Sequence, residues 1–278
     1  MTVSAPVLED PALEAYEAFA PFYDRFTSGY AYDTWLAELE ALALGHGLSG
    51  RRLLDVGCGT GKSFFPMLER GYEVSACDLS PAMLDLARAK LPPGLVDLFV
   101  ADMRDLPVVG SFDLVTCLDD ALNYLVEPAD LVPALRGMGA NLAPAGLLIF
   151  DVNTLSTYRE LFGAHAVRES DGVMFCWRGQ AEEACRPGAP VSARLDMFRE
   201  DSHDAWRRVT VHHHQRHLPR GEVESALREA GLKLLAVRGM VPGGHLRPDA
   251  DEERHVKLIF LARTQSTPSL DAQEVSPW

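Results

Sequence analysis

The chain has 278 residues, 47% of them hydrophobic, and a formal net charge of −14. That apolar fraction supports a sizeable core and excludes global disorder. The acidic balance argues against a nucleic-acid partner, which needs clustered Lys and Arg for phosphate contacts. Five scattered cysteines (Cys58, Cys77, Cys117, Cys176 and Cys185) form no CxxC pair, so reduced thiols in a cytoplasmic protein are expected. No apolar run is long enough to span a bilayer, and Met1–Pro11 lacks the basic and apolar regions of a secretory signal.

In chain order, residues 1–10 read as a loose leader. Two helical segments follow up to Gly47, with Tyr16, Phe19, Tyr23 and Phe26, then Trp35, Leu39 and Leu42, at spacings of three and four. Arg51–Val56 reads as a short strand entering a glycine-rich turn and a helix to about Arg70. Tyr72–Cys77 is a second strand. Ser80-Pro81 then opens a helix, because serine caps free amides and proline suits the first turn. Leu95–Val100, Phe112–Cys117 and Leu147–Asp151 continue as buried strands, with a helix at Pro128–Leu142. Strands alternating with helices predict an α/β, doubly wound, Rossmann-like sheet, mostly parallel with its last strand antiparallel.

From Val173 to His217 the period changes to two. Val173–Glu182, Val191–Glu200 and Trp206–His217 predict an antiparallel insertion, placed over the site as a lid. A helix at Pro219–Ala230 and strands at Leu232–Val237 and His255–Ala262 complete the sheet. The expected organisation is an N-terminal helical cap (1–47), a core (48–160 and 218–263), a β insertion (161–217) and a flexible tail (264–278).

The turn Leu53–Gly61 carries the chemistry. Its glycines let the backbone approach a ligand closely, and the helix start that follows favours negative charge. A P-loop would need glycine where the chain has Val56, and its phosphates would face Asp55. A dinucleotide turn wants its third glycine one residue later than Gly61. Asp55 followed by Gly57, Gly59 and Gly61 instead suits a ligand without phosphate.

With Asp78 about twenty positions on and Asp102 after the third strand, this pattern resembles class I S-adenosylmethionine-dependent methyltransferases. The likeness extends from about Phe19 to Arg263. It implies that Asp55, Gly57, Cys58, Gly59 and Gly61 pack against the amino-acid part of S-adenosyl-L-methionine. It also implies that Asp78, with Leu79 and Met83 beside it, takes the ribose hydroxyls. A carboxylate can accept both hydrogen bonds of a cis-diol. Asp102 would meet the adenine amino group, Met103 would cover the ring, and Cys117 and Leu118 would line the other side. Singly, each acid has a structural alternative: Asp55 a cap, Asp78 a partner of the Ser80 helix, Asp102 a turn former.

Within that class, the segments around Phe19–Asp24, Tyr32–Trp35 and Leu118–Leu125 resemble the small-molecule branch that includes glycine and amino-sugar N-methyltransferases. The resemblance implies N-methylation of a small-molecule acceptor, in specialised metabolism. Tyr23 would approach the cofactor, Tyr32, Asn123 and His213 would be catalytic, and Trp35, Asp119 and Tyr124 would contact the acceptor. Asn123 stands where some sugar enzymes have histidine, and asparagine cannot act as a base. On a strand, His213, Gln215 and His217 share one face and His212 and His214 the other. No Cys or carboxylate completes a ligand spacing, so no metal is expected. O- or C-methylation, a tRNA substrate and a non-catalytic cofactor-binding role are the alternatives. A homodimer is left open.

Overall fold

The computed structural model describes residues 10–180, 185–200 and 205–265. Two helices lead, α1 (Pro11–Phe26) and α2 (Tyr32–Gly45). The core then alternates β1 (Arg52–Val56), α3 (Phe65–Glu69), β2 (Glu73–Asp78), α4 (Pro81–Ala89), β3 (Asp97–Val100), β4 (Phe112–Cys117), α5 (Leu131–Ala140) and β5 (Leu142–Asn153). A short α6 (Leu155–Thr157), continued by a π turn, leads into β6 (His165–Ser170), β7 (Val173–Gly179), β8 (Pro190–Glu200) and β9 (Trp206–Arg216). Helix α7 (Arg220–Glu229), β10 (Leu232–Met240), β11 (Leu246–Arg247) and β12 (Lys257–Thr264) close the chain.

The large sheet runs β11-β10-β12-β5-β4-β1-β2-β3. Strands β1 to β5 pair in parallel, and β12 is antiparallel to both β5 and β10. Order reverses between β1 and β4, and ligands of such sheets bind at the carboxyl ends of the strands beside that reversal. Near-continuous apolar strands explain why both faces must be covered: Leu54, Val115, Leu148 and Phe260 belong to one core cluster, while Leu53, Leu114, Ile149 and Ile259 belong to a second. Among the described residues no helix is long and apolar enough to cross a membrane.

The small sheet, β6-β7-β8-β9, is antiparallel and packs on α1, sharing a core of Phe19, Phe22, Phe175, Leu195 and Val211. Its first strand, β6, is legible only in the structure. His165–Ser170 is exposed along nearly its whole length, so it has no alternation to read. The helix expected through Arg70 shrinks to α3, because Gly59–Phe64 remains in turns. Asp10, expected in a loose leader, is the N-cap of α1: its carboxylate accepts from the amides of Ala12 and Leu13. The rest of that leader and nearly all of the tail lie outside the described residues, as does the end of the strand expected through Glu182.

Candidate active site

The glycine turn is anchored from below. The amides of Gly57 and Cys58 donate to the carbonyl of Cys77 at 2.8 and 3.0 Å, tying the end of β1 to the end of β2. The amide of Gly59 donates to Asp78 Oδ2 at 2.8 Å, and the amide of Ser80 to Asp78 Oδ1 at 2.9 Å. Asp78 therefore shapes the turn and α4 while keeping lone pairs on both oxygens. Burial pushes its carboxyl up, against those amide bonds. Gly59 sits at φ 54°, and a Cβ there would meet only the Tyr23 ring at 3.9 Å. Its open side lies toward the cleft, as close backbone approach to a ligand requires.

That cleft is lined by Gly57, Cys58, Gly59, Asp78, Leu79, Asp102, Met103, Leu118 and Tyr23, all expected to bind cofactor. Asp102 is held by Arg104, whose Nε lies 2.9 Å from both of its oxygens. Burial raises the Asp102 carboxyl, but the Arg104 bonds outweigh it and hold it below the ordinary range. Arg104 also reaches Asp10 at the start of α1. Further along α1, Glu17 accepts from Ser80 Oγ at 2.6 Å and from the amide of Ala82 at 2.9 Å. Helix α1 thus straps the cleft at two points. Lys62, unremarked as a binding residue in the sequence, also lines it, with Nζ held by Thr27 Oγ1 at 2.7 Å. It can pair with a ligand carboxylate.

Four expected cofactor residues are not on the cleft wall. Gly61 turns away at φ 93°, where a Cβ would strike Phe64 and Phe65 at 2.7 Å. Met83 and Cys117 are fully buried in the core. Asp55 lies beneath the turn and accepts from Ser63 Oγ at 2.5 Å and Thr116 Oγ1 at 2.7 Å. It braces the turn and touches no cleft surface. Burial pushes its carboxyl up to about 6. A folded-state value above the unfolded one, about 3.9, gives stability that is present at low pH and lost as pH rises through 6. The advantage of wild type over Asp55→Asn should therefore shrink by about 2 kcal/mol between pH 4 and pH 7. Urea unfolding of both proteins at the two pH values measures it.

A second cavity of about 520 Å³ adjoins the cleft, within the usual range for small-molecule sites. Tyr16, Tyr23, Tyr32, Asp119 and Tyr124 line both spaces and form their junction. Tyr32 donates to Asp119 Oδ2 at 2.7 Å, and Tyr23 lies 3.5 Å from the same oxygen. Burial, then the Asp119 charge, pushes both phenols well above their ordinary range, so they stay protonated donors.

Asp119 and Asp120 both adopt positive φ, 61° and 56°. Each such non-glycine residue costs about 1–3 kcal/mol. The turn persists because Asp151 accepts both amides, at 2.6 and 2.9 Å. Lys257 offsets part of that negative charge: its Nζ lies 2.7 Å from Asp120, 2.8 Å from Asp151 and 3.3 Å from Asp119. Burial lowers the Lys257 value, but the three carboxylates outweigh it and raise it. Burial raises Asp120 to about 6. Nothing in the sequence pointed to Lys257 or Asp151 as partners, because they stand on β12 and β5, far from Asp119 in the chain.

Trp35 and His213 line the second cavity as expected. Tyr124 Oη and His213 Nδ1 are 2.8 Å apart, and Trp177 stacks on the imidazole at 5.6 Å. Burial lowers His213 to about 4, so it is neutral and a poor acceptor for an ammonium proton. Its geometry suits holding Tyr124. Asn123 corrects the expectation of a catalytic role: its amide donates to the carbonyl of Arg216 and accepts from the amide of Asn153, both at 2.9 Å. Both ends are used to join β5 to β9, and it lines neither space. His217, one residue past the end of β9, is buried and pairs with Glu252 at 2.6 Å. Gln215, by contrast, reaches Asp120 Oδ2 at 2.6 Å.

Comparison with known proteins places this site in context. Residues 53–146, from β1 into β5, match the family model described as "Methyltransferase domain". The chain is 32% identical over 256 residues to the "Putative methyltransferase YqeM" of Bacillus subtilis (strain 168), covering 91% of this chain and 98% of that one. In fold it is similar to an S-adenosylmethionine-dependent methyltransferase from Clostridium acetobutylicum ATCC 824, with a TM-score of 0.75 and 24% identity over 90% of this chain and 99% of that one. It is also similar to the sugar N-methyltransferase KedS8 from Streptoalloteichus sp ATCC 53650, with a TM-score of 0.71 and 24% identity over 95% and 99%.

Proposed function

Because the chain belongs to the class I S-adenosylmethionine-dependent methyltransferases, we propose that it methylates the nitrogen of a small-molecule amine. The observation that carries this reading is the junction of the two spaces, where the Asp119 carboxylate stands between the Tyr23 and Tyr32 hydroxyls. The likeness in fold to a sugar N-methyltransferase agrees with it.

When bound, S-adenosylmethionine supplies a methyl group on a sulfonium centre, so the protein's task is alignment and exclusion of water. Asp78 would hold the ribose hydroxyls, Asp102 and Met103 the adenine, and Gly59 and Lys62 the amino-acid end. Tyr23 and Tyr32 direct Asp119 toward the space shared with the acceptor. An amine must present a lone pair to react. Asp119 and Asp120 can accept its N–H groups and fix the direction of that lone pair. His213 keeps Tyr124 in place behind it. The burial of the junction by α1 and by the β7–β9 wall shields the reacting atoms.

The test is mass spectrometry of a panel of amines and matched alcohols incubated with enzyme and S-adenosylmethionine. N-methyl products are expected, and exclusive formation of O-methyl products would overturn the nitrogen assignment. On an amine that turns over, Asp119→Asn should lower kcat about 100-fold and leave affinity for S-adenosylhomocysteine close to that of wild type. A matched loss of cofactor affinity would instead place Asp119 in cofactor binding.

A further inference from the structure

The second cavity carries information about the acceptor's body as well as its reacting atom. Its charged lining among the described residues is Asp119, Asp120, Glu160 and Lys257. Lys257 is enclosed by carboxylates, with Asp119, Asp120 and Asp151 all within 3.3 Å of its Nζ. Among the described residues, no positive charge on that wall is left for a phosphate or carboxylate. Arg168, the guanidinium nearest the rings, stacks over Phe26 and Phe175 at 5.0 and 5.6 Å and donates to the Phe26 carbonyl. It is not part of the lining.

Aromatic rings make up much of the remaining wall, with Thr27, Asn153, Thr157 and Gln215 as polar interruptions. Phe19 meets Phe26 edge-on at 5.3 Å, Phe26 stacks with Trp177 at 6.4 Å, and Phe162 meets Trp177 edge-on at 5.3 Å. Trp177 is fixed further by its indole N–H, which donates to the Leu161 carbonyl at 2.7 Å. These rings hold one another in place, so the slot is formed before any ligand arrives. A preformed apolar slot ending in carboxylates attracts an ammonium through its charge and through the ring faces, and penalises an anion that must shed water without a partner.

We propose that the acceptor is a ring-bearing hydrophobic amine without phosphate or carboxylate, its body lodged among Phe26, Phe162 and Trp177 and its nitrogen beside Asp119. This rests on the N-methyltransferase reading above and narrows it: nucleotide-linked and phosphorylated amines fall outside the class.

Calorimetry on the protein loaded with S-adenosylhomocysteine tests it, with 2-phenylethylamine, tryptamine, 2-phenylethanol, O-phosphoethanolamine and glycine as probes. One of the two arylamines should bind tightest, and with S-adenosylmethionine it should be methylated. Trp177→Ala should weaken that binding about tenfold with no change in affinity for S-adenosylhomocysteine. Glu160→Lys, at an exposed position clear of the core, should weaken the arylamine and improve O-phosphoethanolamine. Preference for O-phosphoethanolamine or glycine over both arylamines, or no binding of either arylamine, would overturn the proposal. Preference for 2-phenylethanol with formation of its methyl ether would keep the ring-binding slot and sink the amine assignment.

Discussion

Replacing Asp78 by alanine should weaken binding of S-adenosylhomocysteine at least about 100-fold. Two hydrogen bonds from ribose hydroxyls to a carboxylate contribute about 1.5–3 kcal/mol each, and every 1.4 kcal/mol is a factor of ten. The same substitution removes the acceptors of the Gly59 and Ser80 amides. The turn then loses its register with β2, so the loss exceeds what the ribose alone would give. Calorimetry on the variant, with circular dichroism to confirm folding, measures the effect. Affinity within a few-fold of wild type would remove Asp78 from the ribose role.

The second large effect belongs to Lys257. Changing it to methionine, of similar length, should destabilise the fold by about 3–5 kcal/mol, because Asp119, Asp120 and Asp151 would then share a buried site without a cation. The cost falls on a turn already held at positive φ by Asp151, so the acceptor site should be lost first. The penalty should be smaller at pH 5.5 than at pH 7.5. Asp120, raised by burial even beside Lys257, is raised further without that cation, so it takes up a proton more readily as pH falls and relieves the repulsion. Urea unfolding at both pH values reads this directly. A Lys257→Met protein as stable as wild type at pH 7.5 would mean that the three carboxylates are not mutually charged in the fold.

Asp78 and Asp102 combine a local structural bond with a place on the cleft wall. Asp78 was open to reading as a partner of the Ser80 helix and Asp102 as a turn former, and each makes such a local bond: Asp78 accepts from the Ser80 amide and Asp102 from the Arg104 amide. Both also line the cleft. A carboxylate has more acceptor capacity than one cap requires, so the two readings were never exclusive. Asp55 resolves the other way. Its two oxygens are taken by Ser63 and Thr116, and its part in the motif is to hold the turn.

The identity of the methyl donor was legible in the linear chain. The apolar periodicity of β1, β2, β4 and α4, the Ser80-Pro81 start and the spacing of Gly57, Gly59, Asp78 and Asp102 are local properties, and local properties survive in a linear reading. The second cavity beside the cleft is assembled only by tertiary structure. Lys257 meets Asp120 across 137 residues of chain, Tyr124 meets His213 of the small sheet, and Asn123 is consumed by backbone groups of β5 and β9. None of these pairings leaves a periodic or motif signal, because each depends on β12 lying beside β5 and on the small sheet packing against α1. The chain announces its methyl donor in one short stretch, and assembles the second cavity from side chains that only folding brings together.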